Sequence, residues 1–109
     1  NYPLYEWARD LWTKTTPTSQ PYKLATKHGD LQEIPDNGCL ADYMTGAQML
    51  AVLRANLKVA AESGRTQTVV VGFHQETAAD WLSHVRDFLA DVAKLQAEGQ
   101  DIDFVRMQP

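Results

Sequence analysis

His74 is the residue best placed to do chemistry. It closes the stretch Thr68-Val69-Val70-Val71-Gly72-Phe73-His74, and Gln75-Glu76-Thr77 then opens a long amphipathic segment. An imidazole gives or takes a proton near neutral pH, so this residue type suits general acid–base catalysis. The helix N-terminus that follows carries partial positive charge, which favours the neutral ring unless a carboxylate stands by. Gln75 and Glu76 adjoin His74 and are the first candidates for contacting a substrate at the rim of a pocket. Asp36-Asn37-Gly38 is a strong turn signal just past another apolar stretch, and it adds Asp36 and Asn37 to the substrate-binding candidates.

The other reactive side chains read less sharply. His28 falls in Lys27-His28-Gly29-Asp30, a turn, and reads as exposed. His84 stands beside Arg86 and Asp87 and reads as part of a solvated helix face. Cys39 is the only cysteine, so an intrachain disulfide is impossible. No base pairs with it locally, which makes it a weak nucleophile candidate. There is no G-x-S-x-G elbow, Gly-rich phosphate loop, H-E-x-x-H or C-x-x-C spacing. The three histidines lie too far apart to share a helical face, so the chain alone is expected to bind no metal.

The elements that must position these residues follow from periodicity. Val69 to Val71 show no polar alternation, which predicts a strand over 68–74 buried on both faces, as in a parallel sheet. His74 then falls at the strand's carboxyl end, the edge where α/β folds bind ligands. Residues 45–63 predict a helix. Thr45 and Gln48 form a capping box, Met49, Leu50, Leu53, Leu57, Ala60 and Ala61 form its apolar stripe, and Gly64 stops it. Residues 77–98 predict a second helix, with Thr77 and Asp80 as its cap and Trp81, Val85, Phe88, Val92 and Leu95 in one row widened by Leu82 and Leu89. Gly99 ends it. Strands are predicted over 22–26, 31–35 and 102–107. Together these give an α/β fold with a largely parallel sheet in the order β-α-β-α-β, built around one core of Leu53, Leu57, Val70, Val85, Phe88 and Val92. Ahead of it lies an aromatic leader with Tyr2, Tyr5, Trp7 and Trp12. That leader reads as a short helix laid on the core, or alternatively as a platform for a sugar ring. Residues 13–21, with two prolines, read as an exposed loop.

Composition bounds the partners. The chain has 109 residues, 44% of them hydrophobic, and a net charge of −4. That is room for a single α/β domain over 1–109. No basic cluster exists to neutralise phosphates, so neither nucleic acid nor an anionic membrane surface is an expected partner. Asn1 is not an initiator methionine, which reads as a chain processed or cut from something longer.

From Leu31 to Met107 the order of motifs resembles the carboxyl-terminal part of polysaccharide deacetylases, the metal-dependent carbohydrate esterases with a NodB-type homology domain. The residues that carry the resemblance are Glu33-Ile34-Pro35, the long helix after it, the apolar strand closing on Gly72-Phe73-His74, and the last stretch Asp103-Phe104-Val105-Arg106-Met107. The resemblance implies the second half of a distorted (β/α) barrel. It implies N- or O-deacetylation of a carbohydrate, with His74 as the general acid that protonates the leaving group. The family's aspartate pair and H-x-x-x-H ligands have no counterpart in 1–109. The implied divalent metal, zinc by analogy, would therefore be held by an N-terminal half of the same barrel. The rival expectation from the residues is a small noncatalytic α/β module that binds a ligand or protein at the same strand-end edge.

Overall fold

The computed structural model describes residues 16–34 and 39–106. Its elements run β1 (Tyr22–Thr26), β2 (Gly29–Glu33), β3 (Cys39–Leu40), α1 (Gly46–Ser63), β4 (Val71–Gly72), a 3₁₀ turn (Gln75–Thr77) and α2 (Ala78–Ala97). The aromatic leader, together with Asp36 and Asn37, lies outside the described residues.

The two helices form as their local signals require. Thr45 caps α1: its hydroxyl accepts from the Gln48 amide at 3.2 Å, while Gln48 Oε1 accepts from the Thr45 amide at 2.9 Å. This reciprocal pair satisfies two otherwise orphaned donors of the first turn. Gly64 ends the helix at φ 70°, a left-handed conformation that a side chain would strain. The α1 residues that reach the interior are Gly46, Met49, Val52, Leu53 and Asn56. They meet Phe88, Val92 and Leu95 of α2, and Ala41 and Met44 complete this core. The α1 stripe is therefore rotated from the predicted one, toward Val52 and Asn56. Of the predicted core, Leu53, Phe88 and Val92 are buried, whereas Leu57 and Val85 pack against the cluster only partly buried. Val69, rather than Val70, joins its edge. Leu82 and Leu89 are exposed.

The sheet differs most from expectation. No largely parallel β-α-β-α-β sheet forms, and the barrel half implied by the resemblance goes with it. Among the described residues there are two separate two-stranded sheets. β1 and β2 make an antiparallel hairpin with Tyr22 opposite Glu33 and Thr26 opposite Gly29. Its turn is Lys27-His28, shorter than predicted, so Gly29 and Asp30 belong to β2. The Thr26 hydroxyl pins this turn, donating to the Gly29 carbonyl at 2.5 Å and accepting from the His28 amide at 3.2 Å. Every residue of β2 is exposed, so this strand stands outside the core. The parallel pair is β3 with β4, and it is two residues long on each side.

The physical reason lies in how much cover two helices can give. A doubly buried parallel strand needs helices on both faces. Here α1 and α2 spend their apolar faces mainly on each other, and only α1 lies against β3. The predicted strand over 68–74 shrinks to Val71–Gly72, and Val71 is 40% exposed. Residues 101–106 form no strand either. Only Ile102 reaches the core edge, and Phe104 and Val105 face water.

The described part of the proline-bearing loop, residues 16–21, is tied down more firmly than its composition suggests. Asn56, 1% exposed, donates from Nδ2 to the carbonyls of Pro17 (2.8 Å) and Val52 (2.9 Å). Its Oδ1 accepts from Gln20 Nε2 at 3.3 Å. Gln20 in turn grips the backbone of Thr68 on both sides, accepting from its amide at 2.6 Å and donating to its carbonyl at 3.0 Å. A side-chain amide thus stands in for a strand neighbour just upstream of β4.

Candidate functional site

β3 and β4 leave their pairing in the same direction, because they run parallel. The ladder is extended one step by the Ala41 amide, which donates to the Gly72 carbonyl at 2.9 Å. The next residue on one side is Asp42. Two residues past β4 on the other side is His74. The strand ends therefore bring a carboxylate and an imidazole together at the carboxyl edge of a parallel pair, the position α/β folds use for ligands.

Asp42 is the hub. Its Oδ1 accepts from the His74 backbone amide at 2.7 Å, and its Oδ2 accepts from the Thr77 hydroxyl at 2.5 Å. His74 Nδ1 lies 3.3 Å from the same Oδ2. The Asp42 side chain is 7% exposed and that of His74 is 54% exposed, so the carboxylate is the sheltered member of the pair. Burial by itself pushes the Asp42 pKa up. The Thr77 hydroxyl, the His74 amide and the charge of the His74 ring outweigh this and hold it below its ordinary value of 3.8. Asp42 is thus ionised at neutral pH and only accepts, so Nδ1 carries the proton in its contact with His74. The ring of Tyr43 stands edge-on to the imidazole, with centroids 6.0 Å apart at 71°.

Local sequence explains how His74 is aimed. It is the residue before the 3₁₀ turn, in extended conformation at φ −78° and ψ 134°. Its carbonyl accepts from the Thr77 amide at 3.2 Å, which closes the turn. Thr77 was expected to cap α2 with its own side chain. Its hydroxyl goes to Asp42 instead, so α2 starts without a side-chain cap and its first turn is tied to β3.

The predicted site residues divide in three. His74 takes the strand-end place expected of it, and Gln75 and Glu76 stand beside it, exposed, in the 3₁₀ turn. Asp36 and Asn37 lie outside the described residues. His28 is exposed in the hairpin turn, and Cys39 is the first residue of β3. His84 requires correction. It does not sit on a solvated face: its Nδ1 is 2.9 Å from the Ala41 carbonyl, and its ring lies 5.2 Å from that of Trp81. Asp42 was missed altogether. The signal available for it was the apolar triplet Cys39-Leu40-Ala41 after a turn, which reads as a short strand delivering Asp42 at its end.

The described residues do not fit the divalent metal that the resemblance implies. Both Asp42 oxygens already hold donors, and among the described residues no three histidine, cysteine or acidic side chains stand together. Among the described residues, no helix is long and apolar enough to cross a membrane.

Fold and site together define a small α/β chain with an Asp–His pair at the end of a short parallel strand pair. Compared with known protein families, with curated proteins and with solved structures, the chain matches none.

Proposed function

We propose that this chain supplies the proton-transfer histidine of a hydrolytic site, with His74 as the general acid–base group and Asp42 as the carboxylate that orients it. The observation that carries the proposal is the Asp42 Oδ2 to His74 Nδ1 contact at 3.3 Å on a half-exposed imidazole. A carboxylate on Nδ1 selects the tautomer whose Nε2 lone pair is free. Among the described residues no hydrogen bond occupies that Nε2. It can accept a proton from an attacking water and return it to the leaving nitrogen or oxygen as the acyl bond breaks. The substrate reading remains an N- or O-acylated carbohydrate, and it is supported by the Gly72-Phe73-His74 resemblance. Gln75, Glu76 and Tyr43 would contact it at the rim.

The test uses the full protein that carries this chain, with an N-acetylated sugar oligomer and a nitrophenyl acetate ester as probes, and measures acetate release. His74→Ala should reduce turnover by roughly 10²–10⁴-fold with little change in melting temperature. Turnover equal to wild type in that variant, or no acetate from the wild-type protein on either probe, overturns the proposal.

A second reading draws on a different feature of the same residues. Asp42 also ties the β4–α2 turn to β3, through the His74 amide and the Thr77 hydroxyl. In a noncatalytic binding module that bracing would be its whole role. Asp42→Ala would then lower stability, while His74→Ala would change neither stability nor any turnover.

A further inference from the structure

We infer that His84 is a positioning residue for the Asp42–His74 pair, acting through the Ala41 peptide. The inference rests on the acid–base reading above. Ala41 is fully buried, and its two backbone groups are both held. Its amide donates to the Gly72 carbonyl of β4, and its carbonyl accepts from His84 Nδ1, each at 2.9 Å. A carbonyl only accepts, so Nδ1 of His84 carries a proton. The ring is braced in turn by Trp81, one turn earlier on α2, at a centroid distance of 5.2 Å and an interplanar angle of 40°.

Asp42 begins at the carbonyl that His84 holds. Its carboxylate must meet three donors at once, at 2.5, 2.7 and 3.3 Å. Such a constellation tolerates little rotation of the peptide before it, and the longest contact, to His74 Nδ1, is the first to be lost. α2 therefore grips this segment twice, through Thr77 at its start and through His84 two turns along. β4 grips it once, through Gly72. His84 touches no reacting atom in this arrangement and acts only through the backbone it fixes.

The experiment reads the tautomer of His74 from its imidazole ¹⁵N shifts, in the full chain at a pH where the rings are neutral. Wild type should show His74 mainly as the Nδ1–H form, because Asp42 accepts there. Asp42→Asn is the control for the underlying reading and should return His74 to the Nε2–H form that free histidine prefers. His84→Phe keeps a ring against Trp81 but deletes the donor, and His84→Ala deletes both. Each should move His74 most of the way to the Asp42→Asn value. His84→Gln, whose amide can still donate to Ala41, should restore the wild-type signature.

If Asp42→Asn shifts His74 while His84→Phe and His84→Ala leave it as in wild type, the positioning role is overturned and the acid–base reading stands. If Asp42→Asn itself leaves His74 unchanged, the acid–base reading fails, and the positioning role with it. Loss of the fold in both His84→Phe and His84→Ala would show a general structural role and would also overturn the proposal.

Discussion

Replacing Gly46 by alanine puts one methyl group where the two helices cross. The new Cβ would stand 2.7 Å from Asp87 Cβ, 3.0 Å from the Phe88 backbone nitrogen and 3.1 Å from the His84 carbonyl oxygen. Carbon atoms pack at about 3.5–4.0 Å, so the crossing must open by roughly 1 Å. Two of the three obstructing atoms are α2 backbone, which no side-chain rotation can move aside. Overpacking of this kind costs about 1–3 kcal/mol. Alanine's better helix propensity returns roughly 0.5–1 kcal/mol, and less at the first helical position. The net expectation is a loss of about 0.5–2 kcal/mol. Urea unfolding followed by far-UV circular dichroism should show a lower midpoint at unchanged slope. The push also lands on the His84 carbonyl, so the same variant should disturb the Asp42–His74 contact. A midpoint equal to or above wild type would refute the close approach of α1 and α2 at Gly46.

Three further outcomes follow from the same packing. Phe88→Ala, at a site 2% exposed, should cost about 3–5 kcal/mol, whereas Leu57→Ala, at a partly buried position, should cost clearly less; equal losses in denaturant melts would contradict the core assignment. Asn56→Ala strands the Pro17 carbonyl and removes one of the partners of Gln20, so stability should fall by roughly 1–3 kcal/mol and proteolytic cleavage within 16–21 should accelerate; a variant as protease-resistant as wild type would show that Asn56 does not hold that segment. Asp42 has a folded pKa below its ordinary 3.8, so it adds stability that is fully present above 3.8 and is lost as pH falls through the lower folded value. Melting temperature should therefore fall more steeply with acid in wild type than in Asp42→Asn, and parallel acid profiles would remove Asp42 from the linkage.

What the sequence determined by itself is what short stretches decide among themselves. The Thr45–Gln48 box and the left-handed Gly64 each act within a few residues, so their geometry depends little on distant parts of the chain. The strand-end position of His74, just before a helical turn, was legible for the same reason. Tertiary structure decided everything that needed a partner from far along the chain. Val69 to Val71 read as a doubly buried strand because an apolar run reports affinity for cover, not whether cover exists. Two helices packed mainly on each other leave it little cover, and Val71 is 40% exposed. The apolar triplet before Asp42 could mark its place at a strand end but not its role, because its donors belong to His74 and Thr77, 32 to 35 residues away. Asn56, Gly46 and His84 sit on helical faces whose partners are likewise set by how α1 crosses α2 and where β3 lies against β4. A side chain's contacts across such a crossing depend on the rotation of each helix about its axis, and that rotation is chosen by the whole core at once.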